Sequence, residues 1–153
     1  MSLSWQPSSI RRSVKGATLV DQRSLLDTAT AGARAAGGLL LERFGGPAEG
    51  VSTKSTPTDL VSDADRDSET LLIDLIARSR PDDGVLSEEG GGRESFSGLR
   101  WVIDPLDGTV NYLFGIPQWC VSVAVEDDEG WVAGAVFDPN RDEMFSATRG
   151  GGA

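Results

Sequence analysis

The stretch WVIDPLDGTVNY, Trp101 to Tyr112, runs a short apolar segment into an aspartate, a proline, a second aspartate and a glycine. Asp104 and Asp107 therefore stand three residues apart where a buried strand should end. Pro105 fixes one backbone angle of the turn expected there, and residues i and i+3 of such a turn can both point back over the strand end. Held together, two carboxylates repel unless a cation neutralises them. Gly108-Thr109 follows, and VNYLF can open as a helical turn whose first N–H groups would face the same spot and favour an anion such as phosphate. Oxygen ligands beside an anion-binding helix start suit Mg²⁺ holding a substrate phosphate. Asp-Pro and Asp-Gly are also ordinary turn dipeptides, and on this stretch alone that reading stays open.

Two regions upstream bear on the choice. LSEEGG puts Glu88 at the end of a short strand, where it could serve as a third oxygen ligand or lie in solvent. SDADRD puts Asp65 in the first turn of a helix, where it could act in a site or cap the helix. Asp63, Asp65 and Asp67 alternate like the start of a calcium-binding EF-hand loop, but the glycine position is Ser68 and the bidentate glutamate position is Asp74. That template fails.

Around these motifs the chain parses into helices first and strands later. Leu25, Leu26, Ala29, Ala33, Ala36, Leu40 and Leu41 recur at helical spacing and predict a helix over 21–44, ended by Gly45-Gly46-Pro47. Gly37 and Gly38 either weaken it or permit close packing. STKSTPTD reads as a polar loop. A second helix starts at Ser62, in capping-box register with Asp65, and buries Leu71, Leu72, Leu75 and Ile76. Residues 84–87 form a short strand. In QWCVSVAVE, Trp119, Val121, Val123 and Val125 face one way and Cys120, Ser122 and Ala124 the other. WVAGAVFD and EMFSAT complete an antiparallel meander. The fold class is α+β, with two helices packed on one face of a mostly antiparallel sheet. Residues 1–20 read as a loose tail and 21–153 as the domain.

Composition narrows the chemistry. The 153 residues include no histidine, so Ser–His and Cys–His dyads and imidazole-bound zinc are excluded. Catalysis must rest on carboxylates, hydroxyls, lysine or a hard cation held by oxygen. A net charge of −10 disfavours nucleic acid and anionic membranes, and no apolar run approaches the roughly 18 residues that span a bilayer. One cysteine excludes an internal disulfide and points to a cytoplasmic protein. Cys120 itself reads as a core residue.

WVIDPLDGTVNY, preceded by LSEEG and by KSTPTDLVSDAD, resembles the inositol monophosphatase family of Mg²⁺-dependent phosphatases. The three blocks occur in family order between Lys54 and Tyr112, and a looser likeness continues to the end of the chain. The resemblance implies Glu88, Asp104, Asp107 and the Leu106 carbonyl as metal ligands. It makes Asp107, Gly108 and Thr109 substrate-binding through the phosphate. Asp65 and Thr109 become the pair that orients the attacking water, and they join Glu88 in the catalytic set. Lys54 matches a mobile loop near the site. Ser62 and Val110 stand where the family often has threonine.

The resemblance covers the N-terminal half of the family's αβαβα sandwich. The C-terminal half carries a W-D-x-A motif, but here the four tryptophans precede Gln6, Val102, Cys120 and Val132. The implied activity is Mg²⁺-dependent hydrolysis of a small phosphomonoester, inositol monophosphate first, with sugar phosphates, histidinol phosphate and phosphoadenosine nucleotides as alternatives. A homodimer is implied as well. A different class also stays open: a non-catalytic metal- and anion-binding module, or a fragment whose uncovered apolar sheet face favours self-association.

Overall fold

The structure, a computed structural model, describes residues 19–53 and 60–153. Residues 1–18 of the expected tail and Lys54 lie outside them. In chain order the elements are helix α1 (Leu19–Arg43), strands β1 (Ser52–Thr53) and β2 (Leu60–Val61), and helix α2 (Asp63–Ser79). Strands β3 (Gly84–Ser87), β4 (Gly92–Arg93) and β5 (Arg100–Asp107) come next, then a short helix α3 (Thr109–Leu113). Strands β6 (Cys120–Asp127), β7 (Gly130–Asp138) and β8 (Glu143–Thr148) follow. The main sheet has the order β4-β3-β5-β6-β7-β8. It is mixed, because β3 pairs with β5 in parallel while every other ladder is antiparallel.

The expected α+β class holds, with three additions. β1 takes the first two residues of what reads as a polar loop and pairs with β2 just after it, and β4 pairs within the expected glycine run. These two-residue strands are too short to carry a period-2 signal. The third addition is the parallel β3–β5 ladder, joined by a connection that no local pattern specifies.

Both long helices cover one face of the sheet, α1 over β6, β7 and β8, and α2 over β5. Leu25, Ala29, Ala33, Ala36 and Leu40 of α1 are all fully buried against it. The alanines keep the helix close, and Gly37 keeps it closer: a Cβ there would sit 2.6 Å from the Phe137 ring. Gly37 thus permits close packing, whereas Gly38 has nothing within 4 Å. From the sheet, Trp101, Ile103, Val121, Val123, Val125, Ala135 and Phe137 fill the same core, joined by Trp119 just ahead of β6. Burying such side chains contributes about 1.5–3 kcal/mol each. At the end of α1, Tyr112 donates its hydroxyl to the Leu40 carbonyl at 2.9 Å, and its ring packs tilted against Phe44 and edge-on against Trp119. One otherwise unpaired helix-end carbonyl is satisfied there.

The opposite face of the sheet lacks such a layer among the described residues. Leu86, Trp131, Val136 and Phe145 are exposed on it. Cys120 lies on this face rather than in the core, because the helices cover only the side that Val121 and Val123 occupy. Among the described residues no helix is long and apolar enough to cross a membrane.

Candidate active site

The β5 end is not a turn. The strand continues through Asp107, and its pairing with β6 slips once: Asp104 faces Ser122 and Asp107 faces Cys120. Three steps along β5 therefore match two along β6, a β-bulge. In a regular strand, residues i and i+3 point to opposite faces. The extra residue returns Asp104 and Asp107 to the same face, the one that carries Cys120 and Ser122. Pro105 is tolerated there because the bulge needs no ladder donor from it.

Glu88 arrives from the neighbouring strand. Its backbone N–H donates to the Ile103 carbonyl at 3.1 Å, which extends the β3–β5 ladder by one step beside Asp104. That step brings the Glu88 carboxyl close enough to act on the Asp104 carboxyl. Burial pushes the Asp104 carboxyl up to about 8; the hydrogen bond and charge of Glu88 and the charge of Asp107 add to this, against a weaker opposing effect of the Leu106 amide. That amide donates to Asp104 Oδ1 at 3.2 Å. Glu88, Asp104, Ser122, Ala124 and Trp131 border an open cavity of about 480 Å³.

Asp65 comes from the helix-covered side. It is fully buried at the third position of α2, with Ser62 as the cap. Asp65 Oδ2 accepts from the Ser62 amide at 2.9 Å and from its hydroxyl. Oδ1 lies 2.8 Å from Thr109 Oγ1. The Thr109 hydroxyl is also 3.1 Å from the Leu106 carbonyl, so its one proton goes to the nearer and charged acceptor. Asp65 thus caps α2, as its position suggested, and also contacts the first residue of α3. Gly108 precedes Thr109 with φ +94°, and a Cβ on it would meet the Gln118 carbonyl at 3.0 Å. Only glycine fits.

The sequence-predicted residues thus form two contacting pairs, Glu88 with Asp104 and Asp65 with Thr109, linked through Leu106. Asp107 acts on Asp104 through its charge, and its Oδ2 accepts from the Cys120 thiol at 3.7 Å. Among the described residues, however, no group of three or more His, Cys, Asp or Glu side chains is arranged so that it could hold a metal ion. Sequence reasoning missed Cys120 as a neighbour of the site. Burial, then the charge and hydrogen bonding of Asp107, push its thiol up to about 12, which keeps it a donor and not a nucleophile. It also missed buried Asp83, which accepts from Trp101 Nε1 at 2.9 Å and Ser97 Oγ at 2.6 Å and so ties the start of β5 in place. The WVID spelling held the tryptophan, but nothing local named its partner.

The profile of the inositol monophosphatase family matches residues 21–153. The chain belongs to that family. An inositol-1-monophosphatase of Rhizobium meliloti is 46% identical over 104 residues, 67% of this chain and 39% of that protein. A protein named Nus factor SuhB from Xylella fastidiosa is 38% identical over 86% of this chain and 48% of its own length. Among solved structures, the extragenic suppressor protein SuhB of Bartonella henselae superposes with a TM-score of 0.77 at 38% identity, covering 83% of this chain and 49% of that one. The Thermotoga maritima IMPase gives 0.76 at 30% identity, covering 82% and 48%. The chain spans about half the length of most curated family relatives it matches.

Proposed function

We propose that this chain carries the metal- and phosphate-binding half of a phosphomonoesterase, and that Mg²⁺ is its cation. The observation that carries the reading is the Glu88–Asp104 contact, with Asp107 beside it on the same bulged strand. Burying carboxylates against each other is costly, and a hard divalent cation relieves that cost. By type the donors suit such a cation: three carboxylates and the Leu106 carbonyl are all oxygen, with neither imidazole nor thiolate required, and binding would have to gather side chains that do not converge on one point here. When bound, the cation activates water and neutralises the charge on the phosphoryl group.

The chain's own residues do the positioning. Asp65 takes the Thr109 proton in its hydrogen bond, which leaves the Thr109 oxygen as an acceptor for a water O–H. Asp65 is fixed by its cap contacts, so that acceptor is fixed too. Gly108 and Thr109 open α3, and their backbone amides suit a phosphoryl oxygen. The proposed substrate is a small phosphomonoester, inositol monophosphate first, with sugar phosphates, histidinol phosphate and phosphoadenosine nucleotides as alternatives. The fully assembled unit is proposed to be a homodimer in the cytoplasm.

The second reading is a metal- and anion-binding module that turns nothing over. One assay separates the two. Mg²⁺-dependent phosphate release is measured on the 153-residue chain over a panel of phosphomonoesters, beside Glu88→Gln. Release that disappears in the variant supports the phosphatase, and equal release in both overturns the site. Mg²⁺ binding with no release favours the module.

A further inference from the structure

α2 carries a polar stripe that reaches three separate segments of the site. Asp65, Ser68, Glu69 and Leu72 lie at i, i+3, i+4 and i+7 and so share one face. Leu72 is fully buried in the core and fixes how that face is turned. Asp65 contacts Thr109. Ser68, also fully buried, donates its hydroxyl to the Pro105 carbonyl at 2.7 Å, inside the bulge between Asp104 and Leu106. Glu69 Oε1 accepts the Gly91 amide at 2.9 Å. Gly91 closes the loop that carries Glu88, for its carbonyl accepts the Ser87 amide at 3.0 Å.

The other hydroxyls of α2 behave differently. Thr70 and Ser79 donate to carbonyls four residues back, the usual resting place of a helical hydroxyl. Ser68 instead leaves its helix for the strand that bears Asp104. The Glu69 contact is equally specific. A Cβ on Gly91 would stand 2.6 Å from Glu69 Oε1 and 2.9 Å from the Ile73 side chain, so the glycine loop is seated directly on this helix face. Two loops that carry candidate cation ligands are thus each anchored, by backbone, to adjacent residues of one rigid helix.

We infer that Ser68 and Glu69 are positioning residues that set the separation of the Glu88 loop and the Asp104–Asp107 bulge for the cation. This rests on the function proposed above. Without the two anchors, nothing on α2 fixes how far apart the two loops sit, and a cation must first gather their carboxyl groups. With them, the gathering is done by the fold.

The test is calorimetric Mg²⁺ affinity of the full chain, read beside the metal-free unfolding midpoint. Ser68→Ala and Glu69→Ala should each weaken Mg²⁺ about 10-fold, as loss of supporting contacts around a metal does. Glu69→Gln keeps a carbonyl acceptor for Gly91 and should bind within about twofold of the parent chain. A lowered midpoint with unchanged affinity in both alanine variants overturns the inference, as does equal loss in Glu69→Ala and Glu69→Gln. Should Glu69→Ala not fold, Ser68→Ala, which loses one oxygen atom, decides alone. Failure of the functional reading has its own signature: a parent chain that binds no Mg²⁺, or binds it as well after Glu88→Gln, sinks both.

Discussion

Two Asp-Pro dipeptides lie in the same sheet, Asp104-Pro105 in β5 and Asp138-Pro139 at the end of β7, and their aspartates shift in opposite directions. Burial opposes charge on both. At Asp138 the Arg141 guanidinium and the amides of Arg141 and Asn140 outweigh it and hold the carboxyl below its ordinary range. At Asp104 the neighbours are Glu88 and Asp107, and the carboxyl rises to about 8. Asp138 is the turn former that the dipeptide suggests: its Oδ1 accepts from Asn140 N at 2.9 Å, an Asx-type turn. Asp104 sits in a bulged strand among acids. The same two letters make a turn where donors surround them and a candidate cation ligand where acceptors do.

That contrast can be broken most sharply at Asp104. Asp104→Asn should lower phosphate release on the order of 10³-fold, several kcal/mol of transition-state stabilisation at about 1.4 kcal/mol per decade. The metal-free protein should melt no lower than the parent, since a repelled buried carboxyl has been removed. A lower metal-free midpoint in thermal circular dichroism would falsify the description of Asp104 as strained by its neighbours.

Asp83 offers an intermediate case, a buried aspartate with donors. Trp101→Phe removes the indole N–H and should cost about 2–3 kcal/mol in denaturant unfolding, because a buried acceptor loses its partner. Gly108→Ala tests the loop between the pairs. A left-handed alanine crowded by the Gln118 carbonyl should cost about 1–2 kcal/mol and reduce phosphate release, and an unchanged midpoint would mean that the loop yields freely.

The smallest effect belongs to Asp138. Asp138→Asn should leave release unchanged and cost less than about 1 kcal/mol at neutral pH, since Arg141 is half exposed and well screened. Its folded-state pKa is depressed, so its contribution is present above the ordinary carboxylate range and is lost as pH falls through the folded value. Unfolding curves of parent and variant should therefore converge in acid. A gap that persists below that range would show the contribution to be unrelated to charge.

Much of the site was legible because it is written in short-range patterns. The capping-box spacing of Ser62 and Asp65, the alternation from Trp119 to Val125 and the helical stripe of α1 all depend on residues a few positions apart. Each appears in the structure where the spacing put it, except that Leu41, at the edge of the α1 stripe, is turned to solvent. Cys120 shows the limit. Its face was readable, but whether that face was core depended on which side the helices covered. The bulge shows it too: residue types named Asp104 and Asp107 as a pair, yet a strand's period-2 geometry would have separated them, and only the slipped register with β6 brings them round.

The sequence by itself therefore determined the longer elements, the absence of histidine chemistry and the acidic residues proposed as cation ligands, because those follow from side-chain chemistry and local periodicity. Only the tertiary structure decided which acids meet acids and which meet arginines, that Ser68 and Glu69 reach out of their helix to two different loops, and that β3 lies parallel to β5 so that Glu88 lands beside Asp104. Those are contacts between residues far apart in the chain, and their free energy exists only once the core has brought the elements together.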